Sequence, residues 1–339
     1  MLLKDLFDFL PKSSRPASYG RKEGKYPFFT SSNTIDSFVD VADFDGEFLI
    51  IGDGGTGNCK YYNGPFSASD HNFILKPKAG TNSIAVRYFL MKNHYEILNK
   101  GFKGVGIKNV SKTYIENIDY KKNSSLPEAE IVQILSEIEN KIEHANYKLL
   151  SYDELVKSRF IEMFGDPISN TKNLKTKEVI NVVTLQRGFD LPIHLRKRKG
   201  DIPLYGSNGI IDYHVEAKCD CGIITGRSGT IGKVYYSEKP FWPLNTTLFS
   251  INCHNNNIIY LSYLLEFFDL TRFCAGSGVP TLNRNNFHNE QIIDVEKNQQ
   301  EQFAAFVKLI DKSKFIVRKE IELLQELLES KMYEYFGNN

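Results

Sequence analysis

The polar chemistry of this 339-residue chain is densest at Gly226, Arg227, Ser228, Gly229, Thr230, Ile231, Gly232 and Lys233. Short donors and acceptors on a glycine-rich loop suit contact with base edges, because Arg pairs with guanine, Asn with adenine, and Asp accepts from cytosine. A related stretch comes earlier, where Asp53, Thr56, Asn58 and Lys60 surround Gly52, Gly54, Gly55 and Gly57. Gly52, Gly54 and Gly57 also fit a GxGxxG spacing, but a dinucleotide site needs a helix to open there. Asn58 to Phe66 reads instead as strand and turn, and the later stretch lacks the spacing. Both stretches are expected to be tight turns between two strands, where glycine lets the backbone approach a ligand closely. A solvated polar hairpin is the alternative for each.

Further candidate contact residues are Ser31, Asn33 and Lys103 in the first half, and Ser207, Asn208, Ser277, Thr281, Asn283 and Arg284 in the second. His194 to Lys199 is the densest cation run, with Arg196, Lys197 and Arg198 at its centre. Such a run can hold phosphates, which position a protein without specifying sequence, or be a plain exposed loop. Catalytic patterns are missing: there is no Pro-Pro dipeptide, no Gly-Lys-Thr phosphate loop and no histidine pair at metal spacing. Cys219 and Cys221 lack the usual zinc-knuckle spacing, and five scattered cysteines suit reduced thiols. No catalytic site, metal or cofactor is expected.

The elements that position these residues occur twice. Pro27, Ser31, Ile35, Asp36, Gly52, Gly55, Thr56, Tyr61 and Tyr62 return as Pro203, Ser207, Ile211, Asp212, Gly226, Gly229, Thr230, Tyr235 and Tyr236. Two copies are too few for a solenoid, so a duplicated module with an approximate twofold axis is expected. Hydrophobic content of 41% and charge of 24% mark an ordinary globular chain. The apolar start, Met1 to Leu10, carries Lys4, Asp5 and Asp8 and has no small-residue cleavage site, so a cytoplasmic protein is expected. The net charge of +1 hides a partition. Lys and Arg outnumber Asp and Glu by 15 to 13 over residues 1–120 and by 14 to 11 over 169–295, but trail by 6 to 9 over 121–168 and by 7 to 8 over 296–339. Basic lobes agree with phosphate contacts.

Each half opens with short strands, including Glu47–Ile51, Cys221–Thr225, Lys233–Tyr236 and Leu248–Ile251, followed by a helix near 83–98 or 258–273. Each then ends in a long amphipathic helix. Ile131, Leu135, Ile138, Ile142, Ala145, Leu149, Tyr152, Leu155 and Met163 step by threes and fours, as do Phe303, Phe306, Ile310, Val317, Ile321, Leu324, Leu328, Met332 and Tyr335. Ser125 with Glu128, and Asn298 with Glu301, are the expected caps. Gly165 and Gly337 are the expected stops. Helices of about 35 to 40 residues would each run roughly 55 Å. A single apolar seam on each predicts an antiparallel two-helix coiled coil joining two lobes, with two separate helices as the alternative. The expected fold is α+β: residues 1–124 and 169–297 as recognition domains related by a pseudo-twofold, 125–168 and 298–339 as helical spacers.

Pro203 to Asn208 (PLYGSN), Ile223 to Gly232 (IITGRSGTIG), Ala275 to Leu282 (AGSGVPTL) and the helix opening at Glu301 and Gln302 resemble the specificity subunit of type I restriction-modification systems. The resemblance spans nearly the whole chain. It implies two target recognition domains that bind the two halves of a bipartite site on double-stranded DNA. It also implies helices that dock two modification subunits, with restriction subunits beyond them; S-adenosylmethionine, ATP and Mg would belong to those partners. The chain departs from the family where Lys297 to Gln300 stand in place of a Pro-Pro pair, and where Gly52, Asp53, Gly54 replace a cationic turn. The rival from another class is a coiled-coil assembly protein that binds protein partners.

Overall fold

Strand β4 (Glu47–Gly52) is apolar along nearly its whole length, the pattern of a strand covered on both faces. The computed structural model describes residues 1–32, 34–55, 58–104, 108–196, 200–276 and 280–337. With β1 (Phe7–Phe9), β2 (Tyr26–Phe29), β3 (Phe38–Val39), β5 (Cys59–Asn63), β6 (Ser67–Ala68) and β7 (Asn72–Pro77), it builds two sheets. The larger is antiparallel in the order β1-β7-β4-β5; the smaller is β3-β2-β6, with β2 and β6 parallel. Leu49 and Ile51 face a core shared with helix α1 (Ser83–Lys92), whereas Phe48 and Ile50 face Phe29 and Phe66. The period of two along a strand divides one apolar run between two cores.

The second half repeats this plan with β8 (Thr184–Arg187), β9 (Ile202–Gly206), β10 (Gly209–His214), β11 (Gly222–Gly226), β12 (Val234–Ser237), β13 (Trp242–Pro243) and β14 (Thr247–Asn252). Its larger sheet runs β8-β14-β11-β12 and its smaller one β10-β9-β13, again with a single parallel pair. Ile223 joins the core under helix α3 (Ile258–Phe267), and Ile224 joins Tyr205, Phe241 and Phe249. The α+β class read from the sequence is the class observed.

Helices α1 and α3 are shorter than their apolar patterns suggest. Asn82 and Asn257 cap their N-termini, accepting from Ala85 N at 3.1 Å and Ile259 N at 2.9 Å. After α1 the Asn93 amide donates to Phe89 O at 3.0 Å, and His94–Leu98 widens into a π turn. After α3 Asp269 takes a φ of 55°, which an α-helix cannot continue, and Leu270–Phe273 is a 3-10 turn.

The two long helices are α2 (Glu128–Phe164, 37 residues) and α4 (Lys297–Phe336, 40 residues). The chain divides into two compact units, Met1–Asn146 with Arg318–Asn339, and Tyr147–Val317, so each unit holds half of each helix. In the first, Ile131 and Leu135 pack with Met332, Tyr335 and Phe336. In the second, Val156, Phe160 and Phe164 pack with Phe303, Val307 and Ile310, and Lys314 pairs with Asp153 at 2.5 Å. The pairing is antiparallel in both.

The seam corrects the sequence reading at one position: Leu155 is 45% exposed and Val156 1%. From Ile131 to Tyr152 the steps follow a 3.5-residue repeat, and keeping that phase lands on Val156. The caps differ as well. Pro127 O accepts from Glu130 N at 3.1 Å and Glu296 O from Gln299 N at 3.0 Å, which puts Asn298 inside α4. Glu301 is taken instead by the Asn257 amide at 3.0 Å and Lys297 at 3.1 Å. Gly165 ends α2 as expected, with a φ of 74° and its N–H on Ile161 O at 2.8 Å. Among the described residues, no helix is long and apolar enough to cross a membrane.

Phe160 is fully buried, with ring contacts to Phe164, Phe267 and Phe303 at 5.0, 4.8 and 5.4 Å. Phe160→Ala is expected to lower the unfolding free energy by about 3–5 kcal/mol, read by urea denaturation of the second unit's transition.

Candidate nucleic-acid interface

In each unit the central strand ends on a loop held from two sides through the backbone. Arg227 N donates to Thr246 O at 2.8 Å, and Arg227 O accepts from Leu282 N at 2.8 Å. Asp53 N donates to His71 O at 3.0 Å, and Asp53 O accepts from Val110 N at 3.0 Å. Arg227 and Asp53 therefore occupy the same position of the duplicated frame. The loops are longer than the expected tight turns and are braced by later segments, through the bridges Ser228 to Thr281 and Gly54 to Asn109. Glycine is required at Gly226, where a Cβ would lie 1.8 Å from Thr230 O, and at Gly229, whose φ is 91°.

Three arginines of the second unit, Arg187, Arg227 and Arg284, line one cleft of about 240 Å³ with Thr281, Asn283 and Leu248. The sheet brings them together: β8 pairs with β14 so that Arg187 lies opposite Leu248, while the Leu282 N–H pins the Arg227 backbone. Arg227 Nη1 donates to Asn245 O at 3.4 Å, which leaves most of its donors available. Asn283 Oδ1 accepts from Asn285 N at 3.1 Å, capping the turn that carries Arg284. Guanidinium groups converging in this way can grip a phosphate or a guanine edge.

The other described candidates of this unit are not part of the cleft's lining. Ser207 is half-buried against the glycine loop, its Oγ 3.3 Å from where a Gly229 Cβ would be. Ser228 is half-buried, Thr230 and Lys233 are exposed, and Lys233 O accepts from Thr225 Oγ1 at 2.9 Å. Asn208 is exposed and lines a different cavity, of about 390 Å³, with Tyr235 and Glu266. Arg196 donates from Nε to Leu191 O at 3.3 Å. Asn33, Thr56, Lys197, Arg198 and Ser277 lie outside the described residues.

The first unit places opposite charges on the same frame. Asp53 is 7% exposed, and its carboxylate accepts from Lys12 Nζ and sits 3.1 Å from His71 Nδ1. Ser31 Oγ donates to His71 O at 2.9 Å, and the Asn58 amide donates to Ser31 O. Lys60 Nζ donates to Thr30 O at 3.2 Å and to Asn58 Oδ1 at 2.9 Å. These side chains tie the loop at Thr30 and Ser31 to the loop after β4. Lys103 is exposed and pairs with Asn109 through both backbone bonds, at 2.9 and 3.0 Å. Sequence reasoning missed Arg187, at the end of β8, and Lys12, in the irregular chain after β1; no motif surrounds either, and only the strand pairing and the contact with Asp53 reveal them. All five cysteines are free thiols, and among the described residues no group of three His, Cys, Asp or Glu side chains could hold a metal ion.

Residues 1–151 and 169–327 both match the family model described as the type I restriction modification DNA specificity domain. The chain belongs to that family. As a specificity subunit with two recognition domains, it is the DNA-recognising component of a type I restriction-modification complex. Among solved structures, the type I restriction-modification S subunit from M. genitalium aligns with 98% of this chain and 94% of its own, at 15% identity and a TM-score of 0.66, a likeness of fold. A chain from a structure of type I R-M complex assembly and conformational transition aligns at TM-score 0.47, with 10% identity over 98% and 95% of the two chains. The HsdS subunit from Thermoanaerobacter tengcongensis aligns at 0.40, with 9% identity over 100% and 96%. No curated protein matches in sequence.

Burial pulls the Lys60 ammonium down to about 8, with Cys59 opposing the shift. The unfolded lysine keeps its proton to about 10.4, so between these values the unfolded form of this group binds more protons and its own contribution to stability rises with pH. Lys60→Met should therefore lower the slope of the denaturation midpoint against pH, relative to the parent chain, between roughly pH 8 and 10, and parallel profiles would contradict a buried Lys60.

Proposed function

We propose that each recognition domain reads one half of a bipartite DNA target, and that the chain itself does no chemistry. Two modification subunits dock on the paired helices and carry methyl transfer with S-adenosylmethionine. Restriction subunits, where present, bring ATP and Mg. The complex works in the cytoplasm on double-stranded DNA.

One observation carries this reading: two loops fixed by the same backbone hydrogen bonds place Arg227 at the cleft of one unit and Asp53, buried and paired with Lys12, at the equivalent position of the other. A phosphate-only binder gains nothing from an acidic residue at a position that is cationic in its twin, because phosphates attract only cations. Readers of different base sequences need that divergence, since the pattern of donors and acceptors along the groove differs from base to base. The three arginines of the second cleft support a guanine-containing half-site.

The test is selection of bound duplexes from a random DNA pool by the subunit assembled with its modification partners. Arg227→Ala is expected to relax one base position of one half-site, costing about 1–3 kcal/mol there, and to leave the other half-site unchanged. Uniform weakening on every sequence would make Arg227 a phosphate contact and remove the main support for this reading.

A further inference from the structure

An exposed carboxylate sits beside the arginine cleft of the second unit, where a negative charge opposes DNA. Asp190 is 68% exposed and lies 3.5 Å from Arg187 Nη2. Its Oδ1 also accepts from the Asn245 amide, and the backbone oxygen of Asn245 accepts from Arg227 Nη1 at 3.4 Å. One acidic side chain thus lies between both arginines, directly on one side and through Asn245 on the other. The backbone around it is pinned. Gly188 N donates to Thr247 O at 3.0 Å and Phe189 N to Pro243 O at 2.8 Å, while a Cβ on Gly188 would lie 2.2 Å from Leu244 O. Phe189 is held further by edge contact with Trp242 at 6.5 Å.

Stability does not explain Asp190, since ion pairs this exposed contribute little. Affinity does not explain it either, because a carboxylate among phosphate-binding cations repels the duplex. Orientation does: a guanidinium on a flexible stem reads a base only when its plane is fixed, and a carboxylate bonded to its neighbours fixes it.

We infer that Asp190 is a positioning residue for base discrimination, acting through Asn245 on Arg227 and directly on Arg187. This rests on the reading that Arg227 contacts a base. Asp190 trades non-specific affinity for discrimination at the base position that Arg227 meets.

The experiment measures binding of the subunit with its modification partners to the selected duplex, to single-base variants of it, and to unrelated duplex. Asp190→Ala is expected to cut discrimination about tenfold at the position that Arg227→Ala relaxes, and to tighten binding to unrelated duplex. Discrimination in the other half-site and the melting temperature should hold. Asp190→Asn, which keeps the Oδ1 acceptor, should recover part of the loss. Discrimination unchanged in Asp190→Ala overturns the inference, as does a loss at a different base position, which would make Asp190 a base reader itself. Arg227→Ala separates the two readings: if it relaxes one position while Asp190→Ala does nothing, half-site reading stands and only the relay falls. If neither variant alters discrimination, the reading of Arg227 fails with it.

Discussion

The first recognition unit is not closed by a continuous stretch of chain, and this constraint governs the molecule. The first unit is completed by the last residues of α4: Tyr335 and Phe336 are buried with Phe89 and Tyr120, Asn93 donates to Phe336 O at 3.0 Å, and Asn123 N donates to Tyr335 O at 2.8 Å. The second unit is completed by the end of α2, whose Phe160 and Phe164 lie against Tyr260 and Phe303. A helix with one apolar stripe is stable only when that stripe is covered. Covering both stripes requires the end of the chain to return to its beginning.

Duplication then separates what folds from what reads. Strand order, the single parallel pair in each small sheet, the asparagine caps and the backbone bonds at the loops are common to the two units. The side chains at equivalent loop positions differ in charge, Asp53 against Arg227, and so do their neighbours, because Lys12 neutralises Asp53 whereas Arg187 adds to Arg227. A frame held by backbone hydrogen bonds tolerates such exchange, since the bonds do not depend on which side chain is present.

Much of the fold was legible because it follows from periodicity. The central strands fell within a residue or two of their observed bounds, and the long helices emerged from steps of three and four. Tertiary partners were not legible. Glu301 fits a capping box by spacing, yet Asn257 takes its carboxylate, and α3 ends at Phe267, ahead of the left-handed Asp269, although its composition would allow it to continue. The site was readable as a set of loops but not as a geometry. Residue type cannot separate Asn58 and Lys60, tied inward to Ser31 and Thr30, from Thr230, which faces solvent. Nor can it bring Arg187 to Arg227 across forty residues of chain, which needs the antiparallel pairing of β8 with β14.

The dependence of the first unit on the end of the chain is open to direct measurement by hydrogen exchange on a chain ending at Val317. The account predicts that amides of Glu47–Gly52 and Asn72–Pro77 lose protection, while those of Gly222–Gly226 and Thr247–Asn252 keep it. Full protection of the first pair of strands in the shortened chain would contradict it.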